Sequence, residues 1–220
     1  KEPVQVEHGV VLIATGATES TPGEYLHGTS GRVKTLLELE RAEAADGPSA
    51  ASTVVFIQCV GSREEGHTYC SRICCTASLK HAIEMKERNP DARIFVLYRD
   101  IRTYGFREEH YTRARELGIA FVRYDPAAKP EVRQGPGDLV TVAVRDAILD
   151  AELQIRAELV VLASRVDANP DNQTLAKFYK VPLTADGFFL EAHVKLRPVD
   201  FATEGRSEEH TSELQSRITI

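Results

Sequence analysis

The residues of this chain best suited to chemistry are its four cysteines, which all fall within one window of 17 residues. Ten residues separate Cys59 from Cys70, three separate Cys70 from Cys74, and Cys75 follows directly. Thiolates are soft ligands that bind iron–sulfur clusters or zinc, whereas disulfide-stapled domains distribute their cysteines along the chain. The grouping therefore predicts one local site, and we expect an iron–sulfur cluster that carries electrons.

The spacing alone leaves other interpretations open. The cysteines could be buried structural residues, they could bind zinc, or Cys74 and Cys75 could form a vicinal redox dithiol. Tetrahedral zinc usually takes two Cys-x2-Cys pairs, while a wider cluster suits sulfurs offered by a strand end and a helix start. If a helix begins at Cys70, Cys70 and Cys74 share one face and Cys75 lies about 100° further round. Residues that could offset the thiolate charge are Arg63, His67 and Arg72.

The elements around the cysteines alternate between strands and helices. An apolar strand, Val54–Val60, leads to Cys59, and a helix, Cys70–Lys86, follows. Such alternation predicts an α/β fold with a parallel sheet and crossover helices, followed by a small antiparallel excursion. The other predicted strands are 10–13, 93–98, 119–124, 139–144, 151–155 and 159–163, the other helices are 33–45, 106–117 and 171–179, and short extended pieces are 187–190 and 193–196.

Composition limits the classes of function. The 220-residue chain carries a net charge of −6, which argues against general nucleic-acid binding. No apolar run approaches the roughly 20 residues of a membrane-spanning helix. The first residues lack the pattern of a secretion signal, so we expect a cytoplasmic protein with no membrane span and no nucleic-acid partner.

Three segments resemble the HdrA family, the flavin and iron–sulfur subunits of heterodisulfide reductases, over residues of about 8 to 205. They are VVFIQCVGSREEGHTYCSRICC (54–75), YRDIRTYGFR (98–107) and DGFFLEAHVKLRPVDFAT (186–203). The resemblance implies a three-layer, thioredoxin-reductase-like Rossmann fold of the FAD/NAD(P) type. It also implies that FAD exchanges electrons with a 4Fe–4S cluster on the four cysteines, with flavin-based electron bifurcation in the family. The implied partners are other heterodisulfide-reductase-type subunits and a donor such as ferredoxin, a hydrogenase or a formate dehydrogenase.

The same resemblance divides the chain into four parts. Residues 1–50 are expected to be a piece of the FAD domain and a linker, residues 53–165 a nucleotide-domain-like insert with the cluster, and residues 166–205 the return to the FAD domain. Residues 206–220 resemble a translated sequencing adapter. The FAD phosphate loop is expected upstream and the last flavin segment downstream, which makes the chain an internal fragment truncated at both ends.

A nicotinamide-binding insert should carry a GxGxxG turn after its first strand. This sequence instead has Cys59-Val60-Gly61-Ser62-Arg63 there, so we infer that a cluster has replaced the nicotinamide site. The alternatives are a zinc-stabilised interaction module and a pyridine-nucleotide disulfide oxidoreductase. The resemblance also implies a flavin-side lysine, Lys80, as the candidate catalytic residue, since a nearby cation stabilises reduced flavin. The candidate cofactor-binding residues are Thr15, Gly16, Lys80, Arg102, Glu191 and His193.

Overall fold

The computed structural model describes residues 4–202 and, for the backbone alone, residues 206–208. The described residues form two compact units, one comprising residues 19–165 and the other residues 4–18, 166–202 and 206–208. In chain order the strands are β1 Val11–Ile13, β2 Ala17–Glu19, β3 Val33–Thr35, β4 Thr53–Val60, β5 Arg93–Tyr98, β6 Ala120–Arg123, β7 Glu131–Gln134, β8 Val140–Asp146, β9 Ala151–Ala157, β10 Leu159–Ser164, β11 Val166–Ala168 and β12 Arg206–Glu208. The helices are α1 Leu36–Asp46, α2 Cys74–Arg88, α3 Glu108–Glu116 and α4 Asn172–Tyr179.

The larger unit is built on a five-stranded parallel sheet in the order β3-β10-β4-β5-β6. The predicted α/β class with a parallel sheet is confirmed. Strand β4 is apolar on both faces because both faces are covered, as is typical of a central parallel strand. On one face Phe56 belongs to the core that includes Leu79 of α2. On the other, Ile57 packs in the core that includes Val142 of β8.

The second covering layer is the antiparallel sheet β7-β8-β9. Helices, parallel sheet and antiparallel sheet therefore form three layers, as the family resemblance implied. Sequence patterning missed β7, whose residues are mostly exposed and do not alternate in hydrophobicity. The cysteines lie at the carboxyl end of β4, in the loop that follows it, and at the start of α2.

Two predicted helix starts are wrong. Val33–Thr35 forms a strand, and α1 begins at Leu36 because Thr35 caps it. The Thr35 hydroxyl accepts the Glu38 N–H at 3.2 Å and the Glu38 carboxylate accepts the Thr35 N–H at 2.8 Å, forming a capping box. Likewise α2 begins at Cys74 and not at Cys70, because Arg72 has a φ of 65°, which no right-handed helix can contain.

The smaller unit has its own core of Ile13, Val181, Phe189 and Phe201. Strand β1 pairs in parallel with β12, although the sequence of 206–220 indicated no strand; residues 203–205 and 209–220 lie outside the described residues. The short extended pieces predicted at 187–190 and 193–196 form only isolated bridges. The second is a turn, since His193 Nδ1 accepts the N–H groups of Lys195 and Leu196, each at 3.2 Å.

Packing places residues 19–50 in the same compact unit as 53–165, whereas the sequence division grouped them with residues 1–18. The reason is that β3 pairs with β10 and α1 packs on the parallel sheet. Within the described residues, the helices are all too short or too polar to cross a membrane.

Candidate metal centre

Cys59 lies where the pairing of β4 with β10 becomes irregular. Leu162 pairs with Ile57 and Ser164 with Val60, so β4 contains one residue more than β10 over this stretch, which is a β-bulge. Cys59 has a φ of 62°, a left-handed conformation that costs a residue with a side chain about 1–2 kcal/mol. Strain of this kind is concentrated at functional sites, so the left-handed backbone makes Cys59 a candidate functional residue.

Cys74 and Cys75 are the first two residues of α2. The first turn of this helix has no acidic residue, and the preceding Ile73 provides no side-chain cap. Its free N–H groups and positive dipole end therefore favour thiolates or another anion. Burial raises the pKa of both thiols, that of Cys75 to about 12. A metal that binds here must displace these protons.

Cys70 lies in the loop between β4 and α2. The Arg72 N–H donates to Cys70 Sγ at 3.4 Å. The Ser62 hydroxyl donates to the Tyr69 carbonyl at 2.9 Å and so ties this loop to the end of β4. The loop thus brings a third sulfur towards those of the strand end and the helix start.

The fold brings all four sulfurs into one neighbourhood. Burial is the main cause of the raised pKa of Cys74, and the neighbouring thiols Cys75, Cys70 and Cys59 raise it further by charge repulsion. The Cys74 thiol also donates to the Ser164 carbonyl at 3.5 Å. The predicted convergence of the four cysteines is therefore a feature of the structure.

The sulfurs are more widely spaced than in a zinc site. Within the described residues, the one group of three potential ligand atoms that all lie within 4.8 Å of one another contains no cysteine. Zn–S bonds of about 2.3 Å in a tetrahedron would place neighbouring sulfurs about 3.8 Å apart. The described sulfurs are therefore not packed as closely as four ligands of one zinc ion would be.

A network of arginines and one aspartate borders the sulfurs. Arg63 Nη1 lies 3.9 Å from Cys59 Sγ, and the same guanidinium pairs with Asp100. Arg102 Nε donates to the other Asp100 oxygen at 3.0 Å. Burial would raise the pKa of Asp100, but hydrogen bonds from both arginines hold it below its usual value. Asp100 therefore fixes two positive groups beside the site.

Three further hydrogen bonds join the residues around Asp100 to the end of β4 and to α2. Arg99 donates from its two terminal nitrogens to the carbonyls of Ser62 and Arg63, both at 3.0 Å. The Arg102 backbone N–H donates to Cys75, which favours the thiolate. The sequence analysis named Arg63 as a residue that could offset the thiolate charge, but it missed the contacts of Arg63 and Ser62 with positions near 100. The signal was the cluster of arginines at the end of β5.

The remaining predicted site residues are placed as follows. Lys80 lies on α2, where its ammonium is 3.8 Å from a carboxylate oxygen of Glu40. In the smaller unit, the Thr15 hydroxyl donates to Asn172 at 3.1 Å and Gly16 adopts a φ of 65°. The other two predicted residues, Glu191 and His193, lie in the same smaller unit. Their roles in flavin binding stay predictions.

Curated relatives match almost the whole chain. HdrA, the iron-sulfur subunit of the CoB–CoM heterodisulfide reductase of Methanocaldococcus jannaschii, is 38% identical over 225 residues, which cover 93% of this chain and 34% of the relative. The corresponding subunit of the H(2):CoB-CoM heterodisulfide,ferredoxin reductase of Methanothermobacter marburgensis is 38% identical, with 93% and 33% covered. That of the ferredoxin:CoB-CoM heterodisulfide reductase of Methanosarcina acetivorans is 33% identical, with 93% and 31% covered.

Solved structures show the fold. Thioredoxin reductase from T. acidophilum superposes with a TM-score of 0.54 at 14% identity, covering 92% of this chain and 57% of that one. The HOCl-induced flavoprotein disulfide reductase RclA from Escherichia coli, as a Cu(II) complex, gives 0.50 at 11% identity, covering 90% and 38%. The predicted thioredoxin-reductase-like fold is confirmed. No protein-family model matches the chain.

The chain spans about a third of the length of the curated relatives it matches. The resemblance carried by its cysteine motif and its two downstream segments is confirmed by this similarity. By sequence, the chain is a relative of the HdrA subunits of heterodisulfide reductases, corresponding to about one third of such a subunit.

Proposed function

We propose that this chain is part of the flavin and iron–sulfur subunit of a heterodisulfide-reductase-like oxidoreductase. In this proposal, FAD and a 4Fe–4S cluster supply the two redox centres that exchange electrons. The observation that carries the proposal is the convergence of Cys59, Cys70, Cys74 and Cys75 at a strained strand end and a helix start. Residues 53–165 would then be the insert that carries the cluster, inside a flavin domain.

The chain's own residues favour a bound anionic cluster. The four thiolates would be its ligands, and the N–H groups at the start of α2 favour a negative charge. Arg63 and Arg102 would supply compensating positive charge near Cys59 and Cys70. Hydrogen bonds and charges next to the sulfurs are among the features that set a cluster's reduction potential. Asp100, which holds both arginines, would act as a positioning residue.

The flavin site would be only partly supplied by these residues. The chain contains no GxGxxG turn, so phosphate binding by such a turn is not encoded here. The proposed flavin-side residues are Thr15, Gly16, Lys80, Arg102, Glu191 and His193. Among them Lys80 is the proposed catalytic residue, because a positioned ammonium group tunes the electronics of a flavin.

The names of the relatives indicate the kind of complex. Some of those names include H(2), formate or ferredoxin. We extend this to the chain as a proposal: it works with other heterodisulfide-reductase-type subunits and receives electrons from ferredoxin or from a hydrogenase or formate dehydrogenase. Flavin-based electron bifurcation is part of the same proposal.

The direct test is electron transfer in the intact subunit that contains this chain. We expect photochemical reduction of the bound FAD under anaerobic conditions to produce the electron paramagnetic resonance signal of a reduced 4Fe–4S cluster. Cys70→Ser should abolish the signal of this cluster while the flavin is still reduced. Phe106→Ala, at a residue that is 93% exposed, is the control and should keep it. A signal that is unchanged in the Cys70 variant would contradict the proposal.

A further inference from the structure

A second group of potential metal ligands lies on α1 and α2, among residues for which the cysteine site has no use. The ligand atoms of Glu43, His81 and Glu84 all lie within 4.8 Å of one another. His81 and Glu84 are three residues apart on α2 and therefore share one face of that helix. Glu43 projects from the last turn of α1.

His81 is the most buried member of this group. It is 5% exposed, and its Nδ1 atom has no hydrogen-bond partner among the residues that the structure describes. Glu43 Oε2 lies 3.3 Å from this nitrogen, close enough for an ion pair with a protonated imidazole but without the geometry of a hydrogen bond. A buried imidazole nitrogen left without a hydrogen bond is unfavourable, and a metal ion between it and the carboxylates would satisfy it.

The end of α1 also favours a cation. Helix carboxyl ends carry partial negative charge and are usually complemented by basic residues. The last turn of α1 has none and instead carries Glu43. The Glu43 carboxylate is held in place by the Ser49 N–H, which donates to Oε1 at 3.2 Å and leaves Oε2 directed at His81.

Arg88 supplies part of the missing positive charge. Its guanidinium lies 3.7 Å from Glu43 Oε1 and 3.4 Å from Glu84 Oε2, and the side chain is 45% exposed. Because it is exposed and bridges both carboxylates loosely, Arg88 can move into solvent. It would therefore compete with a metal ion for Glu43 and Glu84 without contacting His81 Nδ1.

We propose that Glu43, His81 and Glu84 bind one divalent first-row transition-metal ion that links α1 to α2. One imidazole and two carboxylates suit ions such as Mn²⁺, Fe²⁺ or Zn²⁺. Since α2 begins with Cys74 and Cys75, the ion would hold the helix that carries two of the cysteines against α1.

The test is a titration of the purified full chain with Mn²⁺, in which electron paramagnetic resonance measures the free ion. Mn²⁺ is chosen because it prefers carboxylate oxygens to thiolates. We expect one bound ion per chain, with affinity reduced by at least about tenfold in Glu43→Gln and His81→Gln. Matched controls on the same or a neighbouring helix, Glu40→Gln and His110→Gln, should bind like the parent chain.

Arg88→Gln separates a metal site from a simple ion-pair cluster. If Arg88 competes with the ion, its removal should tighten Mn²⁺ binding about two- to fivefold, the usual effect of an exposed ion pair. This variant changes an exposed side chain and should fold even if His81→Gln does not. Absence of a saturable site in the parent chain, or equal affinity in the parent and Arg88→Gln chains, would overturn the proposal.

Discussion

The left-handed backbone at Cys59 leads to a prediction about stability that can be measured without any metal. Replacing Cys59 by glycine or by alanine removes the thiol in both cases, but glycine alone adopts a φ of 62° without steric cost. At Cys70, which is not among the described residues with positive φ, glycine has no such advantage. The two pairs of variants therefore isolate the strain at Cys59 from the loss of the side chain.

The magnitude follows from two opposing effects. A left-handed conformation costs a non-glycine residue about 1–2 kcal/mol, while glycine in ordinary backbone costs about 0.5–1 kcal/mol relative to alanine because it loses more chain entropy on folding. Cys59→Gly should accordingly be more stable than Cys59→Ala by about 0.5–1 kcal/mol. Cys70→Gly should be less stable than Cys70→Ala by a similar amount. The difference between the two comparisons is the strain itself.

The assay is urea denaturation of the four metal-free variants under reducing conditions, followed by circular dichroism. Both variants of a pair lack the thiol, so its loss does not affect the comparison between them. If the free energy of unfolding falls with urea concentration at the same slope in both, the variants differ in stability and not in the compactness of the unfolded state. If alanine is the more stable residue at both positions, Cys59 is not strained and the inference from the bulge is wrong.

Further predictions concern the charges, the core and the pH dependence. Arg63→Gln removes a positive charge beside Cys59 and should lower the reduction potential of the cluster by about 60 mV, the equivalent of a tenfold change in a one-electron equilibrium; an unchanged or raised potential in an anaerobic redox titration would refute this electrostatic account. Leu79→Ala, at a residue of α2 that is 0% exposed, should lower the free energy of unfolding by about 2–5 kcal/mol, against less than about 0.5 kcal/mol for the exposed Phe106→Ala. Burial raises the pKa of Tyr124, whose hydroxyl donates to the Gln58 carbonyl at 2.8 Å, so the folded state loses stability as the pH rises above about 10, where the unfolded tyrosine ionises. Tyr124→Phe should remove that part of the alkaline loss, which urea titrations at pH 8 and above about pH 10 would detect.

The sequence predicted the central sheet well because its strands are continuous apolar runs. Strand β5 has the predicted bounds, and β4 differs by one residue. It failed where single residues decide local geometry. The left-handed φ of Arg72 delays α2 to Cys74, and the cap at Thr35 separates a short strand from α1. Neither effect changes hydrophobic periodicity.

The grouping of the four cysteines was predictable from the sequence, whereas the residues that surround them were not. The four cysteines can be grouped from the sequence alone because they lie within 17 residues of one another. The contact of Arg63 with Asp100 joins positions 37 residues apart, and His81 meets Glu43 across two helices. Such pairings depend on how the helices and strands pack, which no sequence pattern in this chain encodes.

The central claim is that the four cysteines bind one 4Fe–4S cluster, and counting iron tests it most directly. The chain should be reconstituted anaerobically and analysed for iron, acid-labile sulfide and zinc. The account predicts about four iron and four sulfide per chain, and little of either in Cys59→Ser. One zinc and no iron, or an iron content that Cys59→Ser leaves unchanged, would contradict it.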